Sequence, residues 1–239
     1  RLCGALELSA KNAMIVSSCC ACAGIIIGVI SLTGIGYKFI NVITALAGSN
    51  LLLLMAMLMV TCIILGMGVP TAPAYIIVAT LGPPALMKAR VPIIAAHMFV
   101  YFYAILSVIT PPVCLAAFAG AAIAETNAMK TGVTAMKLGI VAFIIPFMFV
   151  FEPALLMQGS TTEIVTAFTS ALVGVIGVAS GIQNWLLVRC RLWERALLLA
   201  SGLMLIFPGL ITDTIGLSSL LIVLFAQRRR RSGSPVAAA

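Results

Sequence analysis

Acidic side chains are nearly missing from this sequence: its 239 residues hold six Asp and Glu together, Asp213 is the single aspartate, and charged residues of both signs make up 8%. A soluble domain carries about 25% charged residues, so a water-facing surface cannot be assembled from this composition. Intramembrane aspartyl chemistry needs two carboxylates sharing one site and is excluded on the same count. His97 is the one histidine and no HExxH pattern accompanies it, which leaves no zinc-hydrolase set. Seven cysteines are too few for a disulfide-stapled scaffold. Cys19-Cys20-x-Cys22 lies in an apolar stretch, where contiguous positions point around a helix instead of converging on a metal. With no nucleotide-binding loop either, the sequence is not that of an enzyme, and no cofactor is expected beyond an ion.

Apolar residues are what the chain has in quantity, at 63% with a mean hydropathy of +1.23, and 14 Lys and Arg set the net charge at +8. The expected fold class is an all-α polytopic membrane protein with the lipid bilayer as its solvent. Arg1 opens the sequence and no methionine precedes Met14, which reads as a cut or processed end.

A helix crosses about 30 Å of hydrocarbon in roughly 20 residues, so gaps between charges locate the spans. One crossing is expected at about Ala13 to Thr33, where Gly24-x-x-x-Gly28 suggests close helix packing. Leu51 to Leu81 is uncharged but interrupted by Gly66-Met67-Gly68-Val69-Pro70-Thr71-Ala72-Pro73, leaving two arms too short to span. This predicts a re-entrant hairpin over about 51–81 with its tip inside the membrane. Val91 to Ala124 is broken at Thr110-Pro111-Pro112 and predicts a discontinuous helix, because proline lacks the amide donor and disfavours helix in the residue before it. Leu138 to Met157 and Ile164 to Val188 read as two ordinary crossings. Ala196 to Gln227, split near Pro208-Gly209 and Asp213, reads as a pair of short or tilted helices. The expected organisation is a transport repeat over 1–160, additional helices over 161–227 and a disordered basic tail over 228–239.

Threading these elements gathers Lys11, Lys130, Lys137, Arg189, Arg191, Arg195 and the four arginines from Arg228 to Arg231 on one face, against Lys38, Lys88 and Arg90 on the other. The positive-inside rule makes the first face and the C-terminal tail cytoplasmic. The arginine run reads as an anchor, and no nucleic acid is expected as a partner, since that needs a folded basic surface.

Two interruptions carry the chemistry. Gly66 and Gly68 permit a turn and close approach to a ligand, Pro70 stiffens it, and Thr71 adds a hydroxyl at the start of a half-helix. Carbonyls ending the first arm suit a cation, and amides opening the second suit an anion. At the second break, Thr110 and the carbonyls freed by Pro111 and Pro112 offer oxygens to a weakly held cation such as sodium; no carboxylate in the stretch would recruit magnesium or calcium. The alternative is that both breaks are packing devices. His97 and Tyr101 share a helical face and line a polar cavity or make a structural hydrogen bond.

Taken together, Gly66-Met67-Gly68-Val69-Pro70-Thr71, Ala96-His97-Met98-Phe99-Val100-Tyr101-Phe102-Tyr103, Thr110-Pro111-Pro112-Val113, Pro146-Phe147-Met148-Phe149-Val150 and Pro153-Ala154-Leu155-Leu156 resemble the large membrane subunit of tripartite ATP-independent periplasmic (TRAP) transporters, with the fused TAXI-type permease as the nearest subclass. The resemblance implies an elevator-type secondary transporter, sodium-coupled, taking up an organic anion (a carboxylate) handed over by a periplasmic substrate-binding protein. It also implies that this is the C-terminal portion of a longer permease, whose N-terminal part, with small-subunit-like helices, supplies the other repeat. By that resemblance Gly66, Gly68, Pro70 and Thr71 match a hairpin tip, and Thr110, Pro111 and Pro112 an unwound partner helix. His97 and Tyr101 join the tip as substrate-binding candidates, while Gly66, Gly68, Thr71, Thr110, Pro111 and Pro112 form the candidate sodium set. The competing function is a non-transporting membrane scaffold or assembly subunit.

Overall fold

The computed structural model describes residues 2–206 and 210–232, and among these the chain is helical throughout, with no sheet. It divides into two compact units, Arg1–Met136 and Lys137–Ala239.

The first unit contains α1 (Leu2–Thr33), α2 (Ile35–Ala47), α3 (Leu51–Gly66), α4 (Thr71–Ala79), α5 (Gly82–Lys88), α6 (Ile93–Leu106), α7 (Leu115–Ile123) and most of α8 (Ala128–Leu138). Gly34 ends the first helix with φ 65°, a left-handed conformation open to glycine at no steric cost. Asn50 starts α3 as its N-cap, its side-chain oxygen accepting the Leu53 amide at 3.2 Å. Both α3 and α4 pack against α6, and α5 adds a third neighbour to it. Met55, Leu58, Val78, Leu86, Phe99, Val100 and Tyr103 are the fully buried bulk of this unit. The helices α3, α4 and α5 bring the chain back beside its own start, because Asn50 and Leu51 line the same cavity of about 230 Å³ as Lys88 and Ala89.

The second unit is built from α9 (Ile145–Phe151), α10 (Thr161–Gln183), α11 (Leu192–Ile206) and α12 (Leu210–Ser232), with α11 packed on both α10 and α12. Ser160 and Glu163 close a capping box at the start of α10: the Ser160 hydroxyl accepts the Glu163 amide at 3.4 Å, and the Glu163 carboxylate accepts the Ser160 amide at 2.9 Å. Small residues let α10 and α11 approach closely. A Cβ on Gly202 would stand 2.7 Å from the Gly174 carbonyl, and one on Gly177 3.4 Å from the Leu198 carbonyl. Among the described residues Thr161–Gln183 is long and apolar enough to cross a membrane, and there are up to three such spans if each of two bent helix pairs counts as one.

Several expectations need correction. Leu138 to Met157 is not one continuous crossing: it resolves into a 3-10 turn at Ile140–Phe143, the short α9 and a second 3-10 turn at Pro153–Leu156. Pro146 and Pro153 each sit in the first turn of a new element, where the missing amide costs nothing, and neither could sit inside a longer helix. Gly24 and Gly28 have no packing partner within 4 Å among the described residues, unlike the glycines of α10. The basic tail does not begin at 228, since α12 carries Arg228 to Arg231 in helix as far as Ser232. Residues 233–239 and the expected break at Pro208-Gly209 lie outside the described residues.

Candidate functional site

Sequence places a helix end at Gly66, and the structure shows how it is used. The Met67 amide bonds back only three residues to the Ile64 carbonyl at 3.3 Å, and the Val69 amide reaches the Gly66 carbonyl at 3.4 Å. This tightening leaves the Leu65 carbonyl without a backbone donor among the described residues. Gly68 turns with φ 76°, Pro70 precedes the first residue of α4, and Thr71 opens that helix. The Thr71 hydroxyl, half-buried, has no hydrogen-bond partner among the described residues.

The second break is equally compact. Helix α6 ends at Leu106, a 3-10 turn spans Ser107–Ile109, Thr110 is extended, and the chain passes Pro111-Pro112, joined by a cis peptide, before α7. Thr110 is buried, and its hydroxyl donates to the Leu106 carbonyl at 2.6 Å. Its oxygen retains acceptor capacity after that donation. A Cβ on Gly132 of α8 would run into the Cys114 sulfur just beyond the break.

The two breaks meet. Ser107, fully buried, stands within donor reach of both the Gly66 carbonyl at 3.0 Å and the Ala104 carbonyl at 2.7 Å. A Cβ on Gly66 would lie 2.6 Å from the Ser107 hydroxyl, so glycine is required there by close approach and not by backbone angle. At the tip itself, a Cβ on Gly68 would stand 3.5 Å from Val113. Seven candidate residues, Gly66, Gly68, Pro70, Thr71, Thr110, Pro111 and Pro112, therefore belong to two joined segments. The Gly66 carbonyl, however, already accepts from Ser107 and Val69, and its two lone pairs are engaged within the protein.

His97 and Tyr101 occupy a different level of α6. They lie ten and six residues before Ser107, about 15 and 9 Å of helix rise. Their common partner is Tyr75 of α4, whose hydroxyl is 2.9 Å from His97 Nδ1 and whose ring meets Tyr101 edge-on at 5.4 Å. Sequence reasoning missed Tyr75, and it singled out Ser107 only for its carbonyl, not for the hydroxyl that joins the breaks. Tyr75 follows Thr71 by four residues and shares its helical face, which was a usable signal; the Ser107 contact spans 41 residues and had none.

Among the described residues no group of three or more His, Cys, Asp or Glu is placed to hold a metal ion. The arrangement instead offers neutral oxygens at two helix ends. No curated protein and no solved structure matches the chain. Residues 164–219 match a domain of unknown function, DUF3394. Residues 1–164, which contain both breaks and the Tyr75 cluster, match the tripartite ATP-independent periplasmic transporter, DctM component, and the chain belongs to that family of transport proteins.

Proposed function

We propose that the chain is the C-terminal portion of a fused TAXI-type permease that carries out sodium-coupled secondary uptake of an organic anion, a carboxylate delivered by a periplasmic binding protein. The observation that carries this reading is the junction of the two helix breaks, where the Ser107 hydroxyl reaches the Gly66 carbonyl inside the segment that belongs to the transporter family. Two broken helices held against each other concentrate unpaired backbone oxygens at one place, and such irregular backbone is tolerated at membrane depth where protein, water or an ion satisfies it. In this reading sodium takes oxygens from Thr71, Thr110 and the carbonyl of Leu65. Binding orders the tip at Gly68 and Pro70, and the amides opening α4 face the carboxylate. His97 and Tyr101, with Tyr75, line the path of the anion. The domain then moves as an elevator in the inner membrane and releases substrate to the cytoplasm, with the remaining repeat supplied by an N-terminal portion of the full permease.

The test is reconstitution of the intact permease and its binding protein in sealed vesicles. An inward sodium gradient should drive uptake without ATP, and Thr71→Val and Thr110→Val should each weaken sodium activation while leaving insertion intact. Accumulation that needs ATP after the sodium and proton gradients have been collapsed would sink the reading. No uptake under any gradient would favour a scaffold. The re-entrant placement has its own check: cysteines at the exposed Asn50 and Lys88 should react with an impermeant thiol reagent from the same side.

A further inference from the structure

The two tryptophans of the chain and four of its exposed arginines stand at one end of the second unit. The loop after α10 is a tight, ordered turn. Asn184 caps the helix with φ 61°, Trp185 and Arg189 form a bridge, and the Cys190 amide bonds the Asn184 carbonyl at 3.2 Å. The far end of α12 is fastened to this loop by buried polar groups. The Gln227 side-chain oxygen accepts from the Leu187 amide at 3.1 Å, and its nitrogen donates to the Glu194 carboxylate at 2.9 Å. Arg230 donates to the same carboxylate at 3.1 Å and to the Arg189 carbonyl at 3.0 Å. The backbone segments that carry the arginines are therefore fastened together: Arg189 and Arg191 are exposed on the loop, and Arg228 and Arg229 are exposed on the helix beside it.

Glu194 is the one acidic residue near this surface and is consumed by the latch, at 1% exposure. The next along the chain, Asp213, lies 15 residues before Arg228, about 22 Å down α12. Trp185 is 60% exposed and Trp193 45%, with Leu192 open between them and the arginines. Below the arginines α12 exposes Leu221, Ile222 and Phe225. This end thus carries exposed tryptophan beside exposed arginine, above an exposed apolar stretch of α12, which are the residue classes that meet the interface, the headgroups and the acyl chains of a bilayer.

We propose that this end of the α10–α12 bundle is a docking surface for anionic phospholipid, with Arg189, Arg191, Arg228 and Arg229 engaging the headgroup phosphates and Trp185 and Trp193 set at the level of the glycerol. A nucleic acid would satisfy the arginines but would leave the adjoining leucine, isoleucine and phenylalanine uncovered, so lipid is the better fit to the whole surface.

Because Trp185 and Trp193 are the only tryptophans, their fluorescence reports on this surface alone. The full chain is placed in nanodiscs with a small fraction of lipid carrying brominated acyl chains, either phosphatidylglycerol or phosphatidylcholine. Brominated phosphatidylglycerol should quench at several-fold lower mole fraction than the choline lipid. Combining Arg189→Gln, Arg191→Gln, Arg228→Gln and Arg229→Gln should remove that several-fold preference, whereas Lys38→Gln with Arg90→Gln should leave it unchanged. Should the fourfold variant misfold, wild type in molar salt serves the same end, since screening should bring the two lipids together. Equal quenching by both lipids, quenching by neither, or a preference that survives the fourfold variant overturns the proposal. So does displacement of the anionic lipid by a short RNA oligonucleotide at equal phosphate concentration.

Discussion

The two units place their buried polar groups in opposite ways. In the first, they sit at helix interruptions and are incompletely matched: Ser107 joins the breaks, yet the Leu65 carbonyl has no backbone donor and the Thr71 hydroxyl no partner among the described residues. In the second, Glu194, Gln227 and Arg230 lie between helix ends and the intervening loop, where they answer one another, and only the neighbouring Asn184 side-chain oxygen is left buried without a partner among the described residues. Burial of polar atoms is thus no guide to function by itself.

The sharpest way to break the contrast is to empty the latch. Glu194→Ala strands the Gln227 amide, the Arg191 amide and Arg230 together, and should cost about 3 kcal/mol in reversible unfolding of the detergent-solubilised chain. A loss below about 1 kcal/mol would mean that the latch is not a stabilising element.

Acid titration asks the same question without a cavity. Burial pushes the Glu194 carboxyl up, but the Arg191 amide, the Gln227 amide and Arg230 outweigh it and hold its pKa below the ordinary carboxylate value. Its contribution is therefore full above that ordinary range and is lost as pH falls through the lowered value. Wild type should lose more stability than Glu194→Gln on going to pH 3, measured by thermal unfolding; parallel losses would remove Glu194 from the account.

In the first unit, Gly66→Ala puts a methyl against the Ser107 hydroxyl and should cost about 2 kcal/mol by overpacking, with a matching fall in transport. Adding Ser107→Gly should recover part of the stability but not the transport, because the space returns and the hydroxyl does not. Simple additivity of the two losses would show that the breaks are not in contact.

The smallest effect is expected at Tyr75→Phe, which removes one hydrogen bond to His97 and keeps the edge-on ring contact with Tyr101. Roughly 1 kcal/mol or less is expected from the unfolding midpoint. A fall in apparent substrate affinity beyond that loss would place Tyr75 on the anion path and not merely in the packing.

The breaks were legible because glycine and proline interrupt apolar runs at positions that no uninterrupted helix tolerates, and Gly66, Gly68, Pro70 and Pro111 announce themselves in that way. What joins the breaks was not legible. A serine inside an apolar helix is unremarkable until the fold brings it to a carbonyl 41 residues away. The latch was hidden for the same reason, since Glu194 and Gln227 are separated by 33 residues and each reads singly as an interfacial polar group. The arginine run was taken for a solvated tail because charge was weighed above propensity. Arginine is a good helix former, and an established helix such as α12 extends through it at little cost.

The mixed core of the second unit has a consequence for how such proteins can be divided. Val141 and Met148, from the stretch that belongs to the transporter family, are buried against Val178 of the following DUF3394 stretch, and the family seam at residue 164 falls in the first turn of α10. A boundary drawn by ancestry thus cuts through one hydrophobic cluster, while the boundary drawn by packing lies upstream at Lys137. Severing the chain at 164 would strip the apolar cover from the end of the transporter segment, so a transplanted or truncated version needs a substitute lid there. For recombinant dissection, residues 137–164 travel with the appendage and not with the carrier.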